Sequence, residues 1–318
     1  MSNTVYTSPK FKEKLLQFKG SYTKNPSSLL AVFDFDFTMT QKYTYKPVCN
    51  DECHNTCYRL FCLGKIGNKK DISKNCDALN DKYSVYENDK SIDFKKREEL
   101  LFEWYCNSLN QIISTEFTRS EITELINNNP DYYIFRPKLI ECLKQLLLMN
   151  VPIIIISGGI EEVIIDLLRR HFNDIEQLMS KDKIRIISNK FIYDKNTGKV
   201  IAYDPNVVFT VNKDAFLKSL VKSTFPSASK LFSFGDNYAD YDCVLNILQG
   251  QKDNLIGYGF LNFLPSKFGT AENKAKEEES IARYREVFDV VQLNDSGFEV
   301  AVENLRFVNG EISEIMGE

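Results

Sequence analysis

Residues 29–38 read LLAVFDFDFT, an unbroken apolar run that ends in two aspartates, Asp34 and Asp36. A run without polar alternation is typical of a parallel strand that is buried on both of its faces. In open parallel sheets, ligands bind at the edge formed by the carboxyl ends of the strands. Since side chains alternate along an extended chain, Asp34 and Asp36 are expected on the same side. The stretch therefore predicts an α/β fold with an acidic site at one edge of its sheet.

Beyond about residue 130, apolar runs alternate with segments of helical periodicity, which is typical of a Rossmann-like parallel sheet. Further strands are predicted at 151–156 (VPIIII), 184–188 (IRIIS), 230–236 (KLFSFGD), 255–260 (LIGYGF) and 287–293 (VFDVVQL). Helices are predicted at 136–149, 213–222 and 297–305, and directly after SGG and GDN. Residues 191–203 are predicted to form a hairpin.

Residues 46–129 differ from the rest of the chain, because they are rich in Asn, Lys, Asp and Cys. Their later part, 95–126, has helical periodicity. Large apolar side chains such as Phe102, Trp104 and Tyr105 favour burial, which argues against a low-complexity linker. We therefore expect an inserted, mainly helical cap domain at 46–129 and a catalytic core built from 1–45 and 130–318.

Composition excludes several classes of function. The chain has 318 residues and a formal net charge of −4, whereas general nucleic-acid binding needs a basic surface. The longest apolar run, 151–156, is too short to span a membrane, and the first twenty residues contain no signal-peptide stretch. We expect a cytoplasmic protein with neither a nucleic-acid nor a membrane partner.

Three other predicted strand ends carry polar groups. Ser157 and the glycines after it are expected at a helix N-terminus, where free amides suit a phosphate. Lys213 opens a predicted helix, and Asp236 and Asp240 lie in GDNYAD. Taken singly, each residue has an ordinary explanation. Ser157 could cap a helix and Lys213 could be a surface lysine. Asp236 could be a turn acid and Asp240 a helix-capping acid. Their ordered occurrence at the ends of successive strands favours one common site.

The two aspartates of DFDFT also have an ordinary explanation, a solvated pair of loop acids. Two carboxylates 4 Å apart repel by about 4 kcal/mol at an effective dielectric constant near 20. A cation between them relieves this repulsion. The acidic pair is therefore a candidate metal site.

The order DxDxT, strand-Ser, Lys and GDxxxD resembles the haloacid-dehalogenase-like (HAD-like) hydrolase superfamily. Further stretches are similar to the cytosolic 5′-nucleotidase III family, which contains pyrimidine and 7-methylguanosine-phosphate-specific 5′-nucleotidases. These stretches are CHN (53–55), YSVYE (83–87), EWYCNS (103–108), SGGIEEVI (157–164), IISNKFIYD (186–194), TVNKD (210–214) and GYGFLN (257–262). The chain departs from the family in having SGG instead of SAG, a longer hairpin at 194–206 and a cysteine-rich segment of partial similarity.

The resemblance implies a Mg²⁺-dependent 5′-nucleotidase that acts through an aspartyl phosphate. Asp34 would be the nucleophile and Asp36 the general acid and base. The implied metal ligands are Asp34, the backbone carbonyl of Asp36, and Asp236. Asp240 would support these ligands without binding the metal directly. The implied phosphate ligands are Ser157, the Gly158 amide and Lys213, and Glu87 and Ser108 would contact the nucleoside.

The implied substrate is a nucleoside 5′-monophosphate such as CMP, UMP or 7-methyl-GMP. We expect the enzyme to be a monomer. The catalytic residues contact only phosphate, so a phosphoserine or sugar phosphatase is an open alternative. Glu87 together with Trp104 favours a nucleobase, although Trp104 is equally well explained as packing within the cap.

The cysteine-rich segment suggests a non-enzymatic alternative, a zinc-binding interaction module. Cys49, Cys53, His54, Cys57 and Cys62 offer enough ligands, and the spacing is C-x3-C-x3-C-x4-C. Structural zinc sites more often pair cysteines as C-x2-C, so reduced thiols are the competing expectation.

Overall fold

The computed structural model describes residues 5–43, 55–63, 70–87, 89, 91–264 and 267–314. Within these residues the strands are β1 (Val5–Thr7), β2 (Leu29–Phe33), β3 (Ile153–Ile160), β4 (Ile184–Asn189), β5 (Phe191–Tyr193), β6 (Val200–Tyr203), β7 (Lys230–Gly235), β8 (Leu255–Leu261) and β9 (Val290–Leu293). The helices are α1 (Phe11–Lys24), α2 (Cys57–Leu63), α3 (Ser73–Tyr83), α4 (Phe94–Ile113), α5 (Arg119–Asn128), α6 (Leu139–Leu148), α7 (Glu161–Arg169), α8 (Ile175–Ser180), α9 (Lys213–Thr224), α10 (Tyr238–Ile247), α11 (Lys274–Val287) and α12 (Glu299–Asn309). No helix in these ranges is long and apolar enough to cross a membrane.

Strand β2 lies inside a sheet of order β1-β9-β8-β7-β2-β3-β4. It pairs in parallel with β3, Ala31 opposite Ile153, and with β7, Leu29 opposite Lys230. The chain passes first to one neighbour of β2 and later to the other. This reversal makes the carboxyl end of β2 a topological switch point, where open α/β sheets bind ligands. The α/β fold with a Rossmann-like parallel core is thus confirmed.

The structure differs from the sequence predictions in several elements. Strand β1, only three residues long and antiparallel to β9, was not predicted, and neither were α1 and α11. Strand β3 continues through Gly158 and Gly159 to Ile160, with a register shift relative to β4. Helix α7 begins only at Glu161. The expectation that the two glycines open a helix was therefore wrong, because the extended backbone persists through them.

Helices α2 to α5 lie between β2 and β3 in the chain, and the two connections to them run side by side. Thr40 and Phe135 form an antiparallel bridge. The Gln41 amide donates to the Ile134 carbonyl at 2.9 Å, and the Arg136 amide donates to the Met39 carbonyl at 3.0 Å. The inserted helices thus leave and rejoin the core at one place.

A buried arginine fixes the turn that follows Asp36. The Arg136 guanidinium donates to the carbonyl of Phe37 at 2.8 Å and to Asn262 Oδ1 at 2.6 Å. It also donates to the carbonyls of Asn294 and Ser296. Burial lowers the pKa of Arg136 to about 10, so the side chain stays charged at neutral pH. Phe37 has a φ of 68°, an uncommon value for a non-glycine residue, and this clamp holds it there.

A second buried charge fastens α1 to the sheet. Lys14 Nζ donates to Asp289 Oδ1 at 2.9 Å and to the Leu255 carbonyl at 3.0 Å. Asp289 Oδ2 accepts the Gly257 amide at 3.0 Å. The pair therefore ties α1 to β8 and to the start of β9.

We predict that Lys14→Met lowers the free energy of unfolding by about 3–5 kcal/mol, because it leaves the Asp289 carboxylate buried without a counter-ion. Urea denaturation measures this loss. Lys138→Met, which removes an exposed pair with Glu141, is the matched control and should change stability by less than about 1 kcal/mol. Equal losses for the two variants would contradict the prediction.

Candidate active site

A cavity of about 520 Å³ opens at the carboxyl ends of β2, β3 and β7. Its opposite wall comes from α2, α3 and α4. All nine site residues predicted from the sequence line it: Asp34, Asp36, Glu87, Ser108, Ser157, Gly158, Lys213, Asp236 and Asp240. The fold thus brings into one space residues that are up to about two hundred positions apart in the chain.

Lys213 lies between two aspartates at the centre of this cavity. Its Nζ donates to Asp34 Oδ1 at 2.6 Å and to Asp240 Oδ1 at 2.8 Å. All three residues are buried. Burial alone would lower the pKa of Lys213, but the charges of Asp240 and Asp34 raise it well above its ordinary value. Lys213 is therefore a permanent buried cation, and its explanation as a surface lysine is excluded.

The pKa of Asp34 is raised to about 6, first by burial, against the charge of Lys213, and further by the charge of Asp240. The pKa of Asp236 is also raised well above its ordinary value, chiefly by burial, with contributions from Asp34 and Asp240. Oxygen atoms of Asp34, Asp236 and Asp240 lie within 4.8 Å of one another. Lys213 offsets only part of the mutual repulsion in this group of hard oxygen donors, and such a group fits a divalent cation.

Asp36 faces the same cavity but has different partners. Its Oδ2 accepts the Cys57 amide at 3.3 Å, and its Oδ1 accepts the Tyr133 hydroxyl at 3.3 Å. Burial, followed by the charge of Asp34, raises the pKa of Asp36 to about 7. A carboxyl group that titrates near neutrality is suited to both donating and accepting a proton.

The SGG segment lies beneath the inserted helices. Ser157 Oγ accepts the Gly159 amide at 2.9 Å, so this serine caps the segment itself and not α7. A Cβ atom placed on Gly158 would come within 2.7 Å of Tyr105 Oη. A Cβ atom on Gly159 would come equally close to Cys57 Sγ. The two glycines therefore allow α2 and α4 to approach the strand end.

Asn189 was not predicted from the sequence. Its Nδ2 donates to the Gly158 carbonyl at 2.8 Å and to the Val208 carbonyl at 2.9 Å, while its Oδ1 accepts the Val208 amide at 2.8 Å. It is 2% exposed. A polar residue at the end of the predicted strand IRIIS was the signal that could have identified it.

Two residues predicted to contact the nucleoside lie at the cavity wall. Glu87 Oε1 accepts the Thr210 hydroxyl at 2.6 Å, which links the inserted segment to the loop before α9. Ser108 follows Trp104 by one helical turn on α4, and both line the cavity. Trp104 stacks on Tyr83 with ring centroids 6.5 Å apart. Packing against Tyr83 therefore accounts for at least one face of the indole.

The zinc hypothesis falls largely on residues that the structure leaves undescribed. Cys49, Cys53 and His54 lie outside the described ranges. Cys57 is buried against Asp36, and Cys62 is half-buried. Among the described side chains, the grouping suited to a metal ion is the aspartate cluster, which contains neither cysteine.

Comparison with known proteins identifies relatives over nearly the whole chain. The chicken 7-methylguanosine phosphate-specific 5′-nucleotidase is 21% identical over 289 residues, covering 89% of this chain and 88% of its own length. The human protein of the same name is 22% identical over 294 residues, covering 91% of this chain and 85% of its own length. A putative cytosolic 5′-nucleotidase 3 from Caenorhabditis elegans is 19% identical, covering 88% of this chain and 69% of its own length.

Among solved structures, cytosolic 5′-nucleotidase IIIB bound to cytidine superposes with a TM-score of 0.70 at 16% identity. The superposition covers 97% of this chain and 95% of that one, which establishes the shared fold. The family model for pyrimidine 5′-nucleotidase (UMPH-1) matches residues 43–309. With its aspartates, lysine and glycine segment gathered at one sheet edge, the chain belongs to the pyrimidine 5′-nucleotidase (UMPH-1) family.

Proposed function

We propose that this chain is a Mg²⁺-dependent phosphatase that hydrolyses nucleoside 5′-monophosphates through a phospho-aspartate formed on Asp34. The observation that carries the proposal is the placement of Asp34 at the topological switch point, 2.6 Å from the Lys213 ammonium, within a cavity shared with Asp36 and Asp236. Membership of the UMPH-1 family supports the substrate class.

In the first step, a carboxylate oxygen of Asp34 attacks phosphorus, and the bond from phosphorus to the 5′-oxygen breaks. Asp36 gives its proton to the departing 5′-oxygen, which would otherwise leave as a poor alkoxide. In the second step, Asp36 takes a proton from water, which attacks phosphorus and releases Asp34. The raised pKa of Asp36, about 7, suits both transfers.

Three groups would hold the equatorial phosphate oxygens: the Ser157 hydroxyl, the Gly158 amide and the Lys213 ammonium. Asp34, the backbone carbonyl of Asp36, and Asp236 would hold Mg²⁺, with Asp240 beside them. When bound, the ion offsets the charge of the phosphate and of the aspartates around it. Lys213 keeps Asp34 ionised and aligned, because its ammonium donates a hydrogen bond to Asp34 Oδ1.

Residues 46–129 are proposed to act as a cap over this site, with 1–45 and 130–318 as the catalytic core. Caps exclude water and select the leaving group. Glu87 and Ser108 are proposed to contact the nucleoside, because both line the part of the wall contributed by the cap. CMP, UMP and 7-methyl-GMP are the candidate substrates. The cytidine bound by the solved 5′-nucleotidase IIIB supports a nucleoside ligand over phosphoserine or a sugar.

We also propose a cytoplasmic location, which the word cytosolic in the names of the nematode relative and of the solved structure supports. Assembly as a monomer that does not bind nucleic acid stays a prediction.

We predict that Asp34→Asn lowers the turnover of CMP or 7-methyl-GMP by about 10⁴-fold or more, because an amide cannot form the acyl phosphate. Steady-state phosphate release measures this loss, and a thermal melt checks the fold. Asp131→Asn, at an exposed position, is the control and should keep full activity. Substantial turnover by a pure Asp34→Asn preparation would rule out the nucleophile assignment.

Removal of divalent metal should abolish activity, and added Mg²⁺ should restore it. A phosphate dianion cannot approach Asp34, Asp36 and Asp236 unless a cation offsets their charge. Asp236→Asn should raise the Mg²⁺ concentration needed for half-maximal activity by at least about tenfold. Full activity in excess chelator would contradict this prediction.

Lys213→Met should lower kcat by about 100-fold or more while changing KM by no more than about threefold. The lysine aligns Asp34 with the phosphate as charge moves between them, so its effect is expected in the transition state. Lys222→Met, on the exposed side of α9, provides the matched control. A change confined to KM would instead assign Lys213 to ground-state binding.

A further inference from the structure

Three inserted helices, α2, α3 and α4, line the cavity, and α2 and α3 carry polar residues that the proposed mechanism does not use. On α3, Asp77 and Asn80 are three residues apart, and Ser84 follows four residues later, so they share one side of the helix and its continuation. On α2, Arg59 lies two residues after Cys57, whose amide contacts Asp36. Arg59 therefore extends the wall of the cavity outward from the catalytic aspartates.

Most charged groups of this cavity already interact with the proposed catalytic residues or join the inserted helices to the core. Lys213 holds Asp34 and Asp240. Lys42 contributes an opposing charge to Asp236, beside the site proposed for phosphate and metal. Glu87 accepts the Thr210 hydroxyl and thereby joins the cap to the core.

Arg59 and Asp77 form a further charged pair at the cavity wall contributed by the cap. Arg59 Nη1 donates to Asp77 Oδ1 at 3.2 Å, and the pair joins α2 to α3. The exposed fractions of the two side chains are 30% and 53%, so both are accessible to a ligand in the cavity. An ion pair this exposed contributes about 0–1 kcal/mol to stability, so folding alone gives little reason to place it here.

The pair presents a hydrogen-bond donor beside an acceptor. A guanidinium has five N–H donors and a carboxylate has two acceptor oxygens, so each group can bind more than one partner at once. Nucleobases present the complementary arrangement along one edge. In cytosine, the ring nitrogen N3 accepts a hydrogen bond and the adjacent amino group donates one. Ribose and phosphate have no such planar edge.

We propose that Arg59 and Asp77 determine substrate specificity by binding the hydrogen-bonding edge of the base, with Arg59 donating to a ring acceptor and Asp77 accepting from an adjacent N–H group. This inference rests on the proposed nucleotidase function and assigns base recognition to α2 and α3. The substrate class is a nucleotide whose base offers an acceptor next to a donor, with CMP as the test substrate.

Arg59→Met and Asp77→Asn should each lower kcat/KM for CMP by at least about tenfold, the loss expected for a hydrogen bond to a charged group. Turnover of ribose 5-phosphate, which lacks a base, should stay within about twofold of wild type. Calorimetry with cytidine should show the same loss of affinity without any reaction. Lys96→Met, which removes an exposed ion pair with Glu99 on α4, is the matched control and should change none of these values.

The double variant Arg59→Asp with Asp77→Arg separates base recognition from a structural role. It restores the ion pair but exchanges donor and acceptor. If the pair binds the base, the exchange should keep the melting temperature of the wild type but should not restore the turnover of CMP or the affinity for cytidine. If the pair only joins α2 to α3, the exchange restores all three, and the inference is overturned.

Other outcomes also decide the matter. Equal losses on CMP and on ribose 5-phosphate would place Arg59 at the phosphate and overturn the inference. A wild-type preference for CMP over ribose 5-phosphate that both single variants retain would overturn it while leaving the nucleotidase function intact. Failure of the wild-type enzyme to hydrolyse any nucleoside monophosphate would instead overturn the proposed function, on which the inference depends.

Discussion

The mutual repulsion of aspartates at the end of β2 is the constraint on which this structure depends. Asp34, Asp236 and Asp240 converge there, and each has lost much of its contact with water. One buried ammonium, that of Lys213, offsets part of this charge and is held in place by doing so. The remaining negative charge is what makes the site suitable for a cation and, through it, for a phosphate. The clustered negative charge that suits the site for a cation is therefore also the charge that opposes its folding.

The scaffold around this site is held by buried hydrogen bonds and close packing. Arg136 fixes the turn after Asp36 through four hydrogen bonds from a side chain that is 2% exposed. Asn189 holds the Gly158 carbonyl, and the two glycines of SGG let Tyr105 and Cys57 pack directly on the strand end. Buried polar groups of this kind are costly unless every partner is in place. They position the reacting groups because they permit few alternatives.

The arrangement of residues at the sheet edge followed largely from the sequence because of a simple geometric rule. Parallel strands end at one edge of a sheet, so Asp34, Ser157 and Asp236 had to be neighbours once the strands were recognised. Lys213 opens α9 and follows no strand of the main sheet, so its place came from the ordered motifs. The contacts of the inserted helices did not follow in this way. Glu87 and Thr210 are 123 positions apart and meet only because the inserted helices fold back over the sheet. Strand β1 is too short to show a periodicity, and extended backbone through SGG contradicts the low strand propensity of glycine.

The bridge between Thr40 and Phe135 has a consequence for the evolution of such enzymes. Because the inserted helices leave and rejoin the core at neighbouring points, their length and sequence can change without altering the register of any strand in the main sheet. The residues at the sheet edge would then be inherited unchanged while the residues on the inserted helices diverge. A lineage could acquire new substrates by remodelling this one insertion, and chimaeras joined at the same two positions offer a way to exchange specificity between related enzymes.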